Sequence, residues 1–413
     1  MKTSTYACCP HPLACSPSRT DIKRRDTNSP RNSALAMDSQ QPSILVTGAT
    51  GYIGGTVVNQ LLSSQNPALI NRCLTLLLRG NSRAGAYRKA WGDRSNPVVY
   101  EGLDDIETTT NIAAEHDIVL NMALGFHAAS AQALLRGLAQ RKVKTGRAVY
   151  MVQLSGASNL GDQPVTGAYV EEREFDDSKD DIYAYERMRE AWRPYLQRTT
   201  ELGVIDEGLR LGVKTLVIMP PLVFGVGTGL HNRISVQIPV YVEAALQYGK
   251  GVVVGEGKGE LDHVHVRDLA SLYEIVVVDI IKTHGANLPQ GKKGIMFASN
   301  GRHNWEEVGR RVGQECFIEG VIPDYHLQSL TLEEGAKAFK AYADLVGGDL
   351  AEIELGLCCN SRTVASVAKG LGWEPTRGRH EWMRGFRDDV VAVLGRKEEP
   401  PWGPIYNMSY TAR

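Results

Sequence analysis

Residues 43–55 read S-I-L-V-T-G-A-T-G-Y-I-G-G. A short apolar run, Ile44, Leu45 and Val46, ends in a turn holding Gly48, Gly51 and Gly54, and apolar residues at helical spacing (Val57, Val58, Leu61, Leu62) follow at once. The pattern is strand, glycine turn, helix. Gly48 can take the tight turn off the strand, Gly51 lets the backbone approach a pyrophosphate with no Cβ in between, and Gly54 lets the helix pack close to the sheet. The free N–H groups at the positive end of that helix then face phosphate. Glycines gather in any surface turn, so the triplet alone says little; the strand before it and the helix after it make this one a dinucleotide site.

Beyond this unit the chain alternates strands and helices. Apolar runs at residues 74–78, 98–100, 118–120, 148–154 and 215–218 are separated by helical segments. Short apolar strands between helices argue for a parallel sheet covered on both faces, whose strand ends form the ligand crevice. The expected fold is α/β, a Rossmann-type doubly wound parallel sheet with a smaller C-terminal substrate-binding lobe. Its parts are a disordered tail (1–42), a dinucleotide-binding core (43–225) and a lobe (226–413) partly interleaved with the core. The tail is rich in Pro, Ser, Asn and Arg with almost no apolar periodicity. Its prolines break any amphipathic transit helix, it has no apolar core for a secretory signal, and Met37 offers an alternative start.

The second strand ends at Arg79, with Asn81, Ser82 and Arg83 just after. An acidic residue there would hold the ribose 2′-hydroxyl of NAD, whereas an Arg pairs with the 2′-phosphate of NADP. NADP(H) is therefore favoured over NAD(H).

Of 413 residues, 43% are hydrophobic and 23% charged, and the formal net charge is −1, the composition of a globular protein with a large core. No stretch interleaves Lys and Arg with aromatics, which argues against nucleic acid, and the most apolar segments are too short to cross a membrane. Seven cysteines show no metal-ligand spacing, so no metal is expected and a reducing, cytoplasmic compartment fits.

A helical stretch opens at D-I-Y-A-Y-E-R-M-R-E, residues 181–190. A Tyr and a cation four apart share one helix face, and the cation eases ionisation of a phenol whose ordinary pKa is about 10. The pair is Tyr183 with Arg187, or Tyr185 with Arg189.

Here the chain resembles an extended or atypical short-chain dehydrogenase/reductase, the broad family of NAD-dependent epimerases, dehydratases and carbonyl reductases. The resemblance runs over about residues 43–394. It is carried by T-G-A-T-G-Y-I-G (47–54), G-L-D (102–104), Tyr183 to Arg187 for the family's YxxxK, P-P-L-V-F-G (220–225), H-V-R-D-L-A (265–270) and G-L-G-W-E-P (370–375). It implies a cofactor held by Gly48, Thr50, Gly51, Tyr52, Ile53 and Gly54, with Leu103 and Asp104 at the adenine. Ala123 and Leu124 would line it, and Pro220, Leu222 and Val223 would flank the nicotinamide. Tyr183 would be the acid/base and Arg187 would replace the family's Lys, keeping the charge while being unable to deprotonate. Gly156 falls where a catalytic hydroxyl belongs, leaving Ser155 or Ser158 to substitute. The Asp-Glu pair of sugar dehydratases is absent. The family also implies a possible homodimer through the helix after Tyr183 and residues 128–139.

The resemblance further implies that a second glycine-rich stretch, residues 225–239, belongs to the substrate lobe, which makes His231, Asn232, Arg233 and Gln237 candidate substrate contacts. His263 and His265 alternate along a strand beside Asp268, which is expected to cap the next helix. Together these features point to an NADP(H)-dependent oxidoreductase or epimerase acting on a small-molecule carbonyl or secondary alcohol, with reduction favoured. The alternative is a non-catalytic NAD(P)-sensing regulator.

Overall fold

Apolar residues in the first half of the chain fall into two alternating sets, and that alternation builds a sheet buried on both sides. The computed structural model describes residues 41–395; Met37, Cys8, Cys9, Cys15 and nearly all of the expected tail lie outside them. The chain runs β1 (Ile44–Thr47), α1 (Tyr52–Ser63), β2 (Leu74–Arg79), α2 (Asn81–Trp91), β3 (Ser95–Tyr100), α3 (Ile106–Ala113), β4 (Ile118–Asn121), α4 (Ala128–Thr145) and β5 (Tyr150–Leu154). After β6 (Phe175–Asp176) come two successive helices, α5 (Ile182–Trp192) and α6 (Leu196–Leu211), then β7 (Lys214–Met219) and β8 (Leu222–Phe224).

The remaining elements are α7 (Gln237–Tyr248), β9 (Gly251–Val254), β10 (Glu260–His265), α8 (Val266–Thr283), β11 (Ile295–Phe297), β12 (Arg302–Asn304), α9 (Trp305–Ile318) and β13 (Leu327–Leu330). Short helices α10 (Leu332–Ala338), α11 (Lys340–Leu345) and α12 (Leu350–Leu357) precede β14 (Thr363–Val364), α13 (Ser366–Gly370) and α14 (Arg379–Leu394).

Seven strands form one parallel sheet in the order β11-β7-β5-β4-β1-β2-β3. This is the doubly wound arrangement, and the strand order reverses between β1 and β4, where the crevice belongs. Ile44, Val46, Leu76, Leu78, Ile118, Leu120 and Val152 share one core with α1 and α8. Leu45, Leu77, Val119 and Met151 share the other with Leu134, Leu135 and Leu138 of α4 and Val204 of α6. Successive strand side chains point to opposite faces, and here both faces are apolar.

A third core sits in the C-terminal half, where Phe224, Tyr241, Trp305, Phe339, Trp382 and Phe386 cluster. His263 stacks on Trp382 with ring centres 4.0 Å apart and His265 packs edge-on against Phe224. Both imidazoles are buried and held neutral by desolvation, to about 3 and about 4. Asp268 does not cap a helix. α8 begins at Val266 and is capped by His265, whose Nδ1 accepts from Arg267 N, while Asp268 accepts from Arg377 at 2.6 Å. Cys316, Cys358 and Cys359 are buried free thiols. No helix among the described residues is long and apolar enough to cross a membrane.

The turn after β1 is sterically fixed. Gly48 has φ +71°, and a Cβ there would come within 2.2 Å of the Met122 carbonyl oxygen; one on Gly54 would come equally close to the Gly48 carbonyl oxygen. Gly48→Ala is expected to lower unfolding free energy by roughly 2–4 kcal/mol, from overpacking plus a left-handed backbone. Denaturant titration checks it, and a loss under about 1 kcal/mol would contradict the fixed approach.

Candidate active site

The ends of β1, β4, β5 and β7 open on a cavity of about 360 Å³. At one end lie Gly48, Thr50, Gly51, Tyr52, Ile53 and Gly54, with Arg79 at the end of β2 and Leu103 beside it. No side chain caps the first turn of α1, and no acidic residue stands in that turn. An uncapped helix start facing a cavity through glycines has the chemistry a dinucleotide pyrophosphate requires. Beneath it a buried ladder crosses three strands. Thr47 Oγ1 donates to Asn121 Oδ1 at 2.5 Å, Asn121 Nδ2 to Gln153 Oε1 at 2.8 Å, and Gln153 Nε2 to the Leu154 carbonyl at 2.8 Å.

The middle of the cavity holds Ala123, Leu124, Ser155, Ser158, Pro220, Leu222 and Val223, all expected there, together with Tyr195 and Gln197, which the sequence reading missed. Ser158 Oγ lies 3.1 Å from the Tyr195 hydroxyl. Ser158 also donates to Gln197 Oε1 at 2.9 Å, which leaves its oxygen to accept from Tyr195. A side chain at Gly156 would meet the Gln197 amide at about 3.0 Å, so Gln197 fills the place where a hydroxyl was expected. Ser155 is buried and accepts from Asn159 Nδ2 at 3.2 Å. Burial holds the Tyr195 phenol above its ordinary value, the Ser158 hydrogen bond pulling the other way.

Tyr183 and Arg187 do not line this cavity. They lie on α5, where the Tyr183 hydroxyl donates to Asp206 Oδ1 at 2.6 Å and Arg187 pairs with the same carboxylate at 3.6 Å. Desolvation, with Asp206 next, raises the Tyr183 pKa despite Arg187. Tyr185 and Arg189 bond to each other at 2.9 Å within the protein, also away from the cavity. Asp104 is exposed and pairs with His127 at 3.1 Å instead of lining the cavity. Of the candidate substrate contacts, Asn232 and Gln237 line it; His231 packs against Tyr87, and Arg233 is exposed, its Nε donating to the Gly227 carbonyl.

The missed tyrosine follows from helix order. α6 is the helix that leads directly into β7 and packs on α4, and Tyr195 stands at its N-terminal boundary. Position 199, four residues on, is Thr, so the tyrosine–cation pattern that singled out 183–187 carries no signal there. Pro194, which ends α5, marks the restart.

Behind Ser155 is a buried acidic pair. Asn159 Nδ2 donates to Glu201 Oε2 at 2.8 Å, and Glu186 stands beside Glu201 with neither of its oxygens bonded by a fixed donor. Glu186 and Glu201 are essentially inaccessible, at 0% and 1% exposure. A proton held between two carboxyls satisfies both. Burial, with the neighbouring acid next, raises Glu186 well above the usual range, and burial pushes Glu201 up to about 7. Arg198, buried alongside, partly offsets the charge.

A doubly wound sheet with a glycine-turn cofactor cradle and a Ser–Tyr pair at its strand ends defines a nicotinamide-dependent oxidoreductase of the short-chain dehydrogenase type. Residues 44–282 match the NAD dependent epimerase/dehydratase family, and the chain belongs to it. It is 28% identical over 350 residues to the oxidase ucsJ of Acremonium sp, across 80% of this chain and 92% of that one. Its fold resembles UDP-glucose 4-epimerase from Thermotoga maritima (TM-score 0.54, 16% identity, 85% of this chain and 99% of that one). It also resembles the dTDP-glucose 4,6-dehydratase DesIV from Streptomyces venezuelae, solved with NAD bound (TM-score 0.54, 15% identity, 84% and 96%). The chain is an NAD(P)-dependent enzyme, and the regulator expected as an alternative is set aside.

The acidic pair makes stability depend on pH in a definite direction. A carboxyl whose folded pKa is raised binds its proton more tightly in the folded state, so its stabilisation is complete below about 4.5 and is lost as pH rises through about 7. Glu186→Gln should therefore unfold at a higher temperature than the parent at pH 8 and lose that advantage at pH 5. Thermal melts at both values check this; an equal difference at both would show that no proton is shared.

Proposed function

We propose that this enzyme is an NADP(H)-dependent carbonyl reductase in which Tyr195 is the proton donor and Ser158 its partner. The observation that carries this reading is the 3.1 Å contact between the two hydroxyls inside the cavity. When bound, the nicotinamide supplies hydride at its C4. Gly48, Thr50, Gly51, Tyr52, Ile53 and Gly54 would hold the pyrophosphate end, and Pro220, Leu222 and Val223 the nicotinamide end.

Arg79 supports NADP(H). It is the one charged residue among the described residues that line the cavity, and no Asp or Glu lines it to accept a ribose 2′-hydroxyl. Direction follows from Tyr195. Without a Lys four residues on, and with burial raising its pKa, the phenol stays protonated at neutral pH. A neutral phenol is a proton donor to an oxygen that gains negative charge, which is what reduction of a carbonyl produces. Oxidation would instead ask for a phenolate in a site that disfavours it. Ser158 holds the Tyr195 hydroxyl in place, and Gln197 fixes the serine's rotamer.

Tyr195→Phe is expected to lower kcat for NADPH-dependent carbonyl reduction at least about 100-fold with cofactor affinity unchanged. Tyr183→Phe should leave kcat within about twofold. The reverse pattern in a spectrophotometric assay would return the acid to α5. Arg79→Ala should weaken NADPH binding by about tenfold or more and leave NADH binding nearly unaltered, since only the former presents a 2′-phosphate; equal loss for both would remove the case for NADP(H).

A further inference from the structure

We infer that the substrate is a neutral, largely hydrocarbon carbonyl compound and not a nucleotide sugar. This deepens the proposed function and rests on the cavity being its reaction site.

Beyond the Ser158–Tyr195 pair the cavity continues into a chamber walled by Phe126, Val236, Leu261, Tyr342, Leu345 and Leu355. Phe126 packs edge-on against the Tyr195 ring, with centres 6.0 Å apart. The Tyr342 ring lies over Gly356, where any Cβ would collide with its hydroxyl. Beside this wall the Gln237 amide is engaged, donating to the Gly356 carbonyl at 2.7 Å.

Arg79, the charged lining residue, stands at the end of β2, beside the cofactor cradle, and no Lys, Arg, Asp or Glu among the described residues lines the chamber. Of the charges outside this wall that act on Tyr195, Glu352 on α12 opposes its ionisation and Arg198 on α6 favours it, so no net positive charge is offered to an anion. Burying a diphosphate without cations costs several kcal/mol per charge. The start of α7, at Val236 and Gln237, offers at most about half a positive charge. An apolar wall has the opposite preference, since each methylene removed from water strengthens binding.

The test is equilibrium titration of the full chain, with and without NADP⁺, by calorimetry. The probes are 2-hexanone, 2-octanone, 2-decanone and UDP-glucose. Affinity should rise by about fourfold per added methylene along the ketones, and UDP-glucose should show no binding at millimolar concentration. Leu355→Lys should weaken 2-decanone at least about tenfold. Affinity flat along the ketones, or UDP-glucose binding tighter than 2-decanone, would overturn the inference. Because binding is read without turnover, a protein that follows the ketone series yet never oxidises NADPH would sustain the substrate class and count against the reductase reading.

Discussion

The contact on which this molecule depends is the approach of one backbone to another at the end of β1. Gly48 lies so close to the Met122 carbonyl that no side chain fits between them, and Gly54 lies as close to Gly48. Two glycines therefore set how α1 leaves the sheet and how near the β4 exit comes to it. That spacing opens the crevice at the reversal of strand order, aims the start of α1 into it, and places the ends of β5 and β7 opposite. Hydrogen bonds from Ser155 N to Ile218 O and from Ala157 N to Pro220 O, each 2.9 Å, then tie the segment after β5 to the end of β7. Ser158 owes its position to that tie.

Much of this was legible in the sequence because it depends on local pattern. Residues 43–55 announce strand, turn and helix, and the alternation of Ile44, Leu45 and Val46 needs both faces covered. Of the residues expected at a cofactor, Gly48, Gly51, Gly54, Arg79, Leu103, Leu124 and Val223 line the cavity. Which tyrosine reaches the cavity was not legible in the same way. Two helices occupy the crossover between β5 and β7, each preceded by or opening on a tyrosine, and only three-dimensional packing shows which one lies along α4. A tyrosine with an arginine four residues on is a local signal, and here it marks a solvent-facing ion pair with Asp206. Tyr195 carries no local signature, since its partner Ser158 reaches it from a distant loop and is itself held by Gln197.

The acidic pair has the same lesson at the level of energetics. Glu186 looks like one more charge on an amphipathic helix, and Glu201 like another on the next. Packing α5 on α6 buries both and links them through Asn159 to Ser155, at the edge of the cavity. Arg198 donates to the Asn159 carbonyl at 3.0 Å and so holds the same residue from the other side. Charged residues that sequence patterning assigns to a solvated face thus become the support behind Ser155 at the cavity wall.

The chamber wall is built from parts unlike those of the cofactor cradle. Tyr342, Leu345 and Leu355 come from helices of six and eight residues that pack on the C-terminal core, whereas the cradle is fixed by glycines in the sheet. Replacements in those short helices leave β1, α1 and the Gly48–Met122 approach untouched. Evolution can consequently redraw the range of accepted molecules in one part of the chain while the glycine turn is inherited unchanged in another.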